Sequence, residues 1–209
     1  MNLAATKILG RPRDETRDAA ILDATIAVLS DVGYDRLTID AVAAKAKASK
    51  ATVYRRWPNK AALVVEALNA LKPRTAEGEE VPCLFPDTGT LRGDLLGGLQ
   101  KIANKLSTDE GKLMAAVMTA SARDPELATA MRGNHEEKKR SCYTVVNRAV
   151  QRGELDDDSG AETLHEVVPA LMYNRLLIVG EPFDDAFLTR VVDDIALPLL
   201  QYQAKAKKR

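Results

Sequence analysis

The 209-residue sequence holds only two cysteines, Cys83 and Cys142, far apart along the chain. That is too few for a disulfide framework or a structural zinc site, so both read as ordinary thiols. No apolar run of about 18 residues occurs, so no membrane span is expected, and Met1 to Arg13 lacks the apolar stretch of a signal peptide. A cytoplasmic protein is the expectation. The signatures of common catalytic sites are missing too: there is no Gly-x-Ser-x-Gly elbow, no phosphate-cradling glycine loop and no His-Glu-x-x-His pair. His135 and His165 have no cysteine or histidine at ligand spacing. The acidic run Asp156-Asp157-Asp158 lacks the spaced ligands and central glycine of a calcium loop and reads as acidic residues ahead of a helix start at Ser159. Neither an enzyme nor a metal or other cofactor is expected.

Net charge is also absent, since 30 Lys+Arg balance 30 Asp+Glu. The distribution is uneven, however. Residues 1–60 carry 11 Lys+Arg against 7 Asp+Glu, a net of +4, while residues 61–204 carry 15 against 23, a net of −8. The tail Lys205 to Arg209 adds 4 positive charges and reads as a solvated, frayed end. A basic amino-terminal module on an acidic body suits contact with a phosphate backbone at one end of the molecule.

Strand signals are nearly absent, and helical periodicity fills the chain. Asp14 to Asp31 places Ile21, Leu22, Thr25, Val28 and Leu29 at helical spacing, with Gly33 as a stop. A fourth helix starts at Pro58-Asn59 and runs to about Lys72. Pro73 to Gly89, with three prolines and two glycines, reads as a loop. Beyond it the pattern predicts helices over Leu91–Leu106, Asp109–Ala122, Asp124–Arg152, about Ser159–Val179 and about Asp184–Gln203. The fold class is therefore all-α, with about nine helices. An amino-terminal module occupies 1–60, helix 4 (about 59–72) links, and a helical body fills 61–209.

The second and third helices lie in the most informative stretch, Thr38 to Lys60. Thr38 can N-cap a helix to about Ala46 with Ile39, Val42, Ala43 and Ala46 on one apolar face. After a Lys47-Ala48 turn, Ser49 can N-cap a second helix to about Arg56, with Val53 and Trp57 packing inward. Lys50, Thr52, Tyr54, Arg55 and Arg56 then remain for solvent or a phosphate backbone, with Arg56 equally able to pair with a neighbouring carboxylate. This is the pattern of a helix-turn-helix that binds DNA.

Several residues together resemble the TetR (TetR/AcrR-type) family of transcriptional regulators. They are Asp31-Val32-Gly33-Tyr34, Thr38-Ile39, Ala43, Ser49 through Tyr54, and Arg56-Trp57-Pro58-Asn59-Lys60 with Ala62-Leu63 behind. The resemblance covers roughly residues 15–65. The chain departs from it at the turn, where a Gly and a β-branched residue are usual and Lys47-Ala48 stands here. A non-glycine residue with positive φ there costs on the order of 1 kcal/mol.

The resemblance implies an N-terminal three-helix DNA-binding domain and a C-terminal domain for effector binding and dimerisation. Lys50, Ala51, Thr52 and Arg55 would face the major groove, and Ser49 would cap the recognition helix near a phosphate. Thr38, Tyr54 and Lys60 would hold phosphates. One such module reads only a few base pairs, so a homodimer on a palindromic operator is expected. Its interface would use Leu164, Val168 and Leu171 from the penultimate helix, with Phe187, Leu188, Val191, Ile195 and Leu199 from the last. A small, largely apolar effector would meet Met114, Val117, Met118, Tyr143, Val146, Met172 and Tyr173, oriented by groups such as Asn174, Arg175, His135 or His165. It would act by population shift, relieving repression. The alternative is a constitutive DNA-binding or partner-binding helical protein without an effector.

Overall fold

The computed structural model describes residues 15–71 and 83–206. Most of the Pro73–Gly89 loop, the end of the basic tail and the side chain of His135 lie outside the described residues. Nine helices occur among the described residues: α1 (Glu15–Arg36), α2 (Ile39–Lys45), α3 (Lys50–Tyr54), α4 (Lys60–Ala70), α5 (Leu91–Leu106), α6 (Asp109–Ser121), α7 (Pro125–Gln151), α8 (Ala161–Asn174, widening over Arg175–Val179) and α9 (Asp185–Arg190, widening over Val191–Ala196 and ending as Leu197–Ala206).

Local chemistry explains most of these boundaries. Thr38, Ser49, Asn59, Thr90, Thr108, Asp124 and Asp184 each cap a helix by accepting a backbone N–H. Pro125 follows Asp124 in the first turn of α7, where its missing N–H is no loss. Gly33 breaks α1 rather than ending it: its backbone (φ 75°, ψ 171°) bends the chain before a last turn at Tyr34–Arg36. The start of α8 falls two residues later than Ser159, because the Asp157 carboxylate takes the Ser159 N–H in a turn. The widened π-type turn in α9 lies just before Pro198, which cannot donate to the carbonyl of Asp194 and would clash with it in a regular helix.

Two apolar clusters organise the molecule. The first gathers Ile21 and Leu29 of α1, Val42 of α2, Val53 and Trp57 around α3, and Leu63 and Leu68 of α4. Val117 and Ala120 of α6 and Leu127 of α7 complete it. Helix α4, expected as a link, thus packs as a full member of the amino-terminal core. The second cluster joins α5, the carboxyl-terminal half of α7, α8 and α9 through residues such as Leu99, Val146, Leu164, Met172, Val192 and Leu200. Phe85 seats the start of this body on α5, where Gly98 leaves the space its ring needs: a Cβ at 98 would lie 2.1 Å from Phe85 Cδ1.

The expected dimer residues divide into two groups. Leu164, Val168, Phe187, Leu188 and Val191 are buried within the chain's own body core, so their apolar surface is already used. Leu171, Ile195 and Leu199 stay half-exposed. Among the described residues of the last two helices, the large apolar side chains left open are Leu177, Ile178 and Val179, in the widened end of α8, and Tyr202 of α9.

Candidate nucleic-acid interface

Helices α2 and α3 meet through a tight turn. Ala48 N–H donates to Ala43 O at 2.9 Å and Lys47 N–H to Ala44 O at 3.2 Å, the paired bonds of a Schellman ending. Lys47 takes φ 51° to make them, as the departure at this turn led us to expect. Ser49 Oγ then accepts from Thr52 N at 3.1 Å, and Thr38 Oγ1 accepts from Ala41 N at 3.2 Å.

The recognition helix is fastened from behind. Val53 is fully buried and Trp57 nearly so, and burial of side chains of this size contributes roughly 1.5–3 kcal/mol each. The Trp57 indole N–H donates to Glu66 of α4 at 2.8 Å. Arg56, which on sequence could face phosphate or equally pair with a neighbouring carboxylate, is half-buried in an ion pair with Asp18 of α1. These contacts fix the roll of α3 about its axis, and so decide which side chains face outward.

Lys50, Ala51, Tyr54 and Arg55 are exposed along that outer side, beside exposed Ser49 and Thr38. Thr52 is not among them. It is 9 % exposed, and its hydroxyl lies 2.8 Å from Ser49 Oγ, against the capping serine. Lys60 is half-buried; its ammonium donates to Tyr34 O at 3.1 Å and sits 4.3 Å above the Tyr34 ring.

Two acidic residues outside the expected set shape this surface. Asp40 of α2 lies 2.8 Å from Lys50 Nζ, and this hydrogen bond raises the ammonium's pKa above its ordinary value. Asp18 sets Arg56. Neither stands out in sequence, because the Asp40–Lys50 pair spans the turn and the Asp18–Arg56 pair spans three helices.

The expected effector residues do not converge. Met114 and Val117 pack with the amino-terminal core, whereas Val146 and Met172 are fully buried in the body core with Tyr143 and Tyr173 against it. Met118 is half-buried on α6. Tyr143 donates to Glu162 at 3.1 Å, and Lys139 Nζ lies 2.7 Å from the same carboxylate. Arg175 is taken up by the α8–α9 connection: its guanidinium lies over the Phe187 ring, pairs with Glu181 at 2.5 Å and donates to Pro182 O at 3.1 Å. His165 is buried and Asn174 exposed. Among the described residues no group of three His, Cys, Asp or Glu is placed to hold a metal ion, and no helix is long and apolar enough to cross a membrane.

Comparison with known proteins agrees with this geometry. Residues 21–67 match the family described as bacterial regulatory proteins, tetR family, and residues 85–195 match the tetracyclin repressor-like C-terminal domain. The DNA-binding transcriptional repressor TetR of Mycobacteroides abscessus is 39 % identical over 194 residues, spanning 92 % of this chain and 98 % of that protein. The HTH-type transcriptional regulator YdeS of Bacillus subtilis is 32 % identical over 184 residues, 88 % of this chain and 89 % of its own. Among solved structures, the TetR family transcription regulator SCO0332 superposes with a TM-score of 0.64 at 30 % identity, covering 87 % of this chain and 97 % of its own. The multidrug binding protein EbrR, complexed with proflavin, shares the fold at 21 % identity and a TM-score of 0.56, covering 85 % and 98 %. A capped, cationic recognition helix at one end of an all-helical chain, together with these matches along both of its parts, makes this protein a member of the TetR family of DNA-binding transcriptional regulators.

Proposed function

We propose that the protein is a homodimeric repressor of a palindromic operator, released by a small, largely apolar effector. One observation carries the DNA half of this reading. Lys50, Ala51, Tyr54 and Arg55 share the outer side of a helix that is anchored from behind by Val53, Trp57 and the Arg56–Asp18 pair. Lys50 and Arg55 read base edges, with the Ala51 methyl beside them, and Ser49, Thr38, Tyr54 and Lys60 hold phosphates.

Dimerisation rests on the open apolar surface of Leu177, Ile178, Val179 and Tyr202, together with half-exposed Leu171, Ile195 and Leu199. An exposed Ile in a folded chain has no water-side benefit, and the run Leu177-Ile178-Val179 at the end of α8, with Tyr202 toward the far end of α9, supports a two-fold contact along these helices. The effector reading is supported by Tyr143 and Tyr173, two half-buried phenols of α7 and α8 against the body core beside Val146 and Met172. Burial pushes the Tyr173 hydroxyl's pKa up, as expected for a polar tip in apolar surroundings. A protein of this fold, EbrR, is a multidrug binding protein complexed with proflavin.

The test is a fluorescence-anisotropy titration against DNA from upstream of the protein's own gene, with random DNA as competitor and salt varied. Binding that outlasts random competitor and weakens steeply with salt is the expected result. Equal competition by random DNA at every candidate promoter would remove the operator-specific reading.

A further inference from the structure

Cys83, distant in sequence from Cys142, lies against the turn of α7 that carries it. Cys83 Sγ lies 3.8 Å from Ser141 O, the carbonyl of the peptide that leads into Cys142, and Leu84 N–H donates to Ser141 Oγ at 3.4 Å. Both thiols are free. Cys83 is half-buried, and Arg148 Nη2 stands 3.8 Å from its sulfur while donating to Phe85 O at 2.8 Å. Cys142 is buried, with its sulfur 4.0 Å from His165 Nδ1.

We propose that Cys83 and Cys142 form a thiol–disulfide pair that reacts with low-molecular-weight disulfides, Cys83 attacking first. The order follows from the surroundings. Cys83 is half-buried whereas Cys142 is buried, so a small disulfide reaches the Cys83 sulfur first. Burial pushes the Cys142 thiol up to about 12, with Cys83 adding to the effect, so the inner sulfur is the slower nucleophile.

The chemistry balances without a further oxidant. The Cys83 thiolate attacks one sulfur of the small disulfide, a mixed disulfide forms, and a small thiolate leaves and takes the proton lost by Cys83. Cys142 then attacks the Cys83 sulfur, its proton passing by way of His165 Nδ1 to the second departing thiolate. The protein has lost two hydrogens and the small disulfide has become two thiols. Persistent disulfides are rare in reducing compartments, and a reversible pair of this kind serves as a sensor there. The product would tie the segment that enters α5 to the middle of α7.

The test uses the folded full chain and oxidised glutathione, with alkylating quench, intact mass and peptide mapping. The wild type should lose two hydrogens and yield a Cys83–Cys142 linked peptide that dithiothreitol reverses. Cys142→Ala, which keeps an apolar side chain in the core, should stop at one glutathione on Cys83. Cys83→Ser should react at least about ten-fold more slowly than wild type. A Cys83→Ser chain that reacts as fast as wild type, or a wild type that gathers glutathione on Cys83 with no linked peptide, would overturn the proposal. Because the readout is mass, neither result depends on DNA binding.

Discussion

The Tyr34 hydroxyl donates to Asp124 Oδ2 at 2.7 Å, joining the last turn of α1 to the cap of α7 across 90 positions of sequence. Asp124 uses its other oxygen to accept from the Glu126 and Leu127 amides, each at 3.0 Å. One carboxylate therefore holds the start of a body helix and the end of a DNA-module helix at the same time. Tyr34→Phe should lower stability by about 1 kcal/mol, read as a shift of the urea midpoint without a change in slope. An unchanged midpoint would mean that water replaces the phenol at no cost.

The same carboxylate gives a pH dependence. The Leu127 amide, then the Tyr34 hydroxyl, the Glu126 amide and the Lys60 charge hold Asp124 below the usual carboxylate range, against a smaller opposing effect of burial. A folded pKa below the unfolded one stabilises fully above the unfolded value, near pH 4, and the benefit is lost as pH falls through the folded value. Asp124→Asn should thus weaken the protein at pH 7 and flatten the acid limb of its stability curve. Identical acid limbs in both proteins would refute the assignment.

Asp40 restrains Lys50 in the free protein, so Asp40→Asn should tighten binding to operator and random DNA alike, by about 2–5-fold at low salt. Lys50→Ala should instead relax preference at particular base positions, and Tyr54→Phe should weaken all sequences by a similar factor. Anisotropy titrations on a panel of single-base operator variants separate the three. Equal loss on operator and random DNA for Lys50→Ala would move that side chain from the groove to the backbone.

Lys47 holds φ 51° in the turn between α2 and α3. Lys47→Gly should raise stability by about 1 kcal/mol, measured by urea unfolding, because glycine adopts this conformation without a Cβ penalty. A loss of stability would show that the lysine stem packs usefully across the turn.

Ile178 is 78 % exposed at the end of α8. Sedimentation of the wild type at micromolar concentration should give twice the chain mass of 22.7 kDa, and Ile178→Glu should shift it toward the monomer. A wild-type mass of one chain would end the two-fold reading of this surface.

Features decided by neighbouring residues were legible in the sequence. Thr38 and Ser49 cap the helices they were read to cap, and Asp124-Pro125 opens α7, because a cap depends on only three or four consecutive residues. What depends on tertiary contact was not legible. Thr52 shares helical spacing with exposed Arg55 and differs only in facing the core, and the periodicity of α6 cannot tell which of two cores Met114 and Val117 will join. Nor does periodicity separate a helix face spent on its own body, as at Leu164 and Val191, from one left for a partner; both are simply apolar.

Helix α7 is a 27-residue rod. Leu127 is embedded in one core and Val146 in the other, with a rise of roughly 28 Å between them. Such a rod is a lever whose two bearings lie in different apolar cores. A tilt of about 5° at the body end would displace the Leu127 end by roughly 2.5 Å, comparable with half a helical turn of rise. A repacking around Val146 that tilted the rod would therefore be felt at Leu127, in the core that also holds Val53 and Trp57.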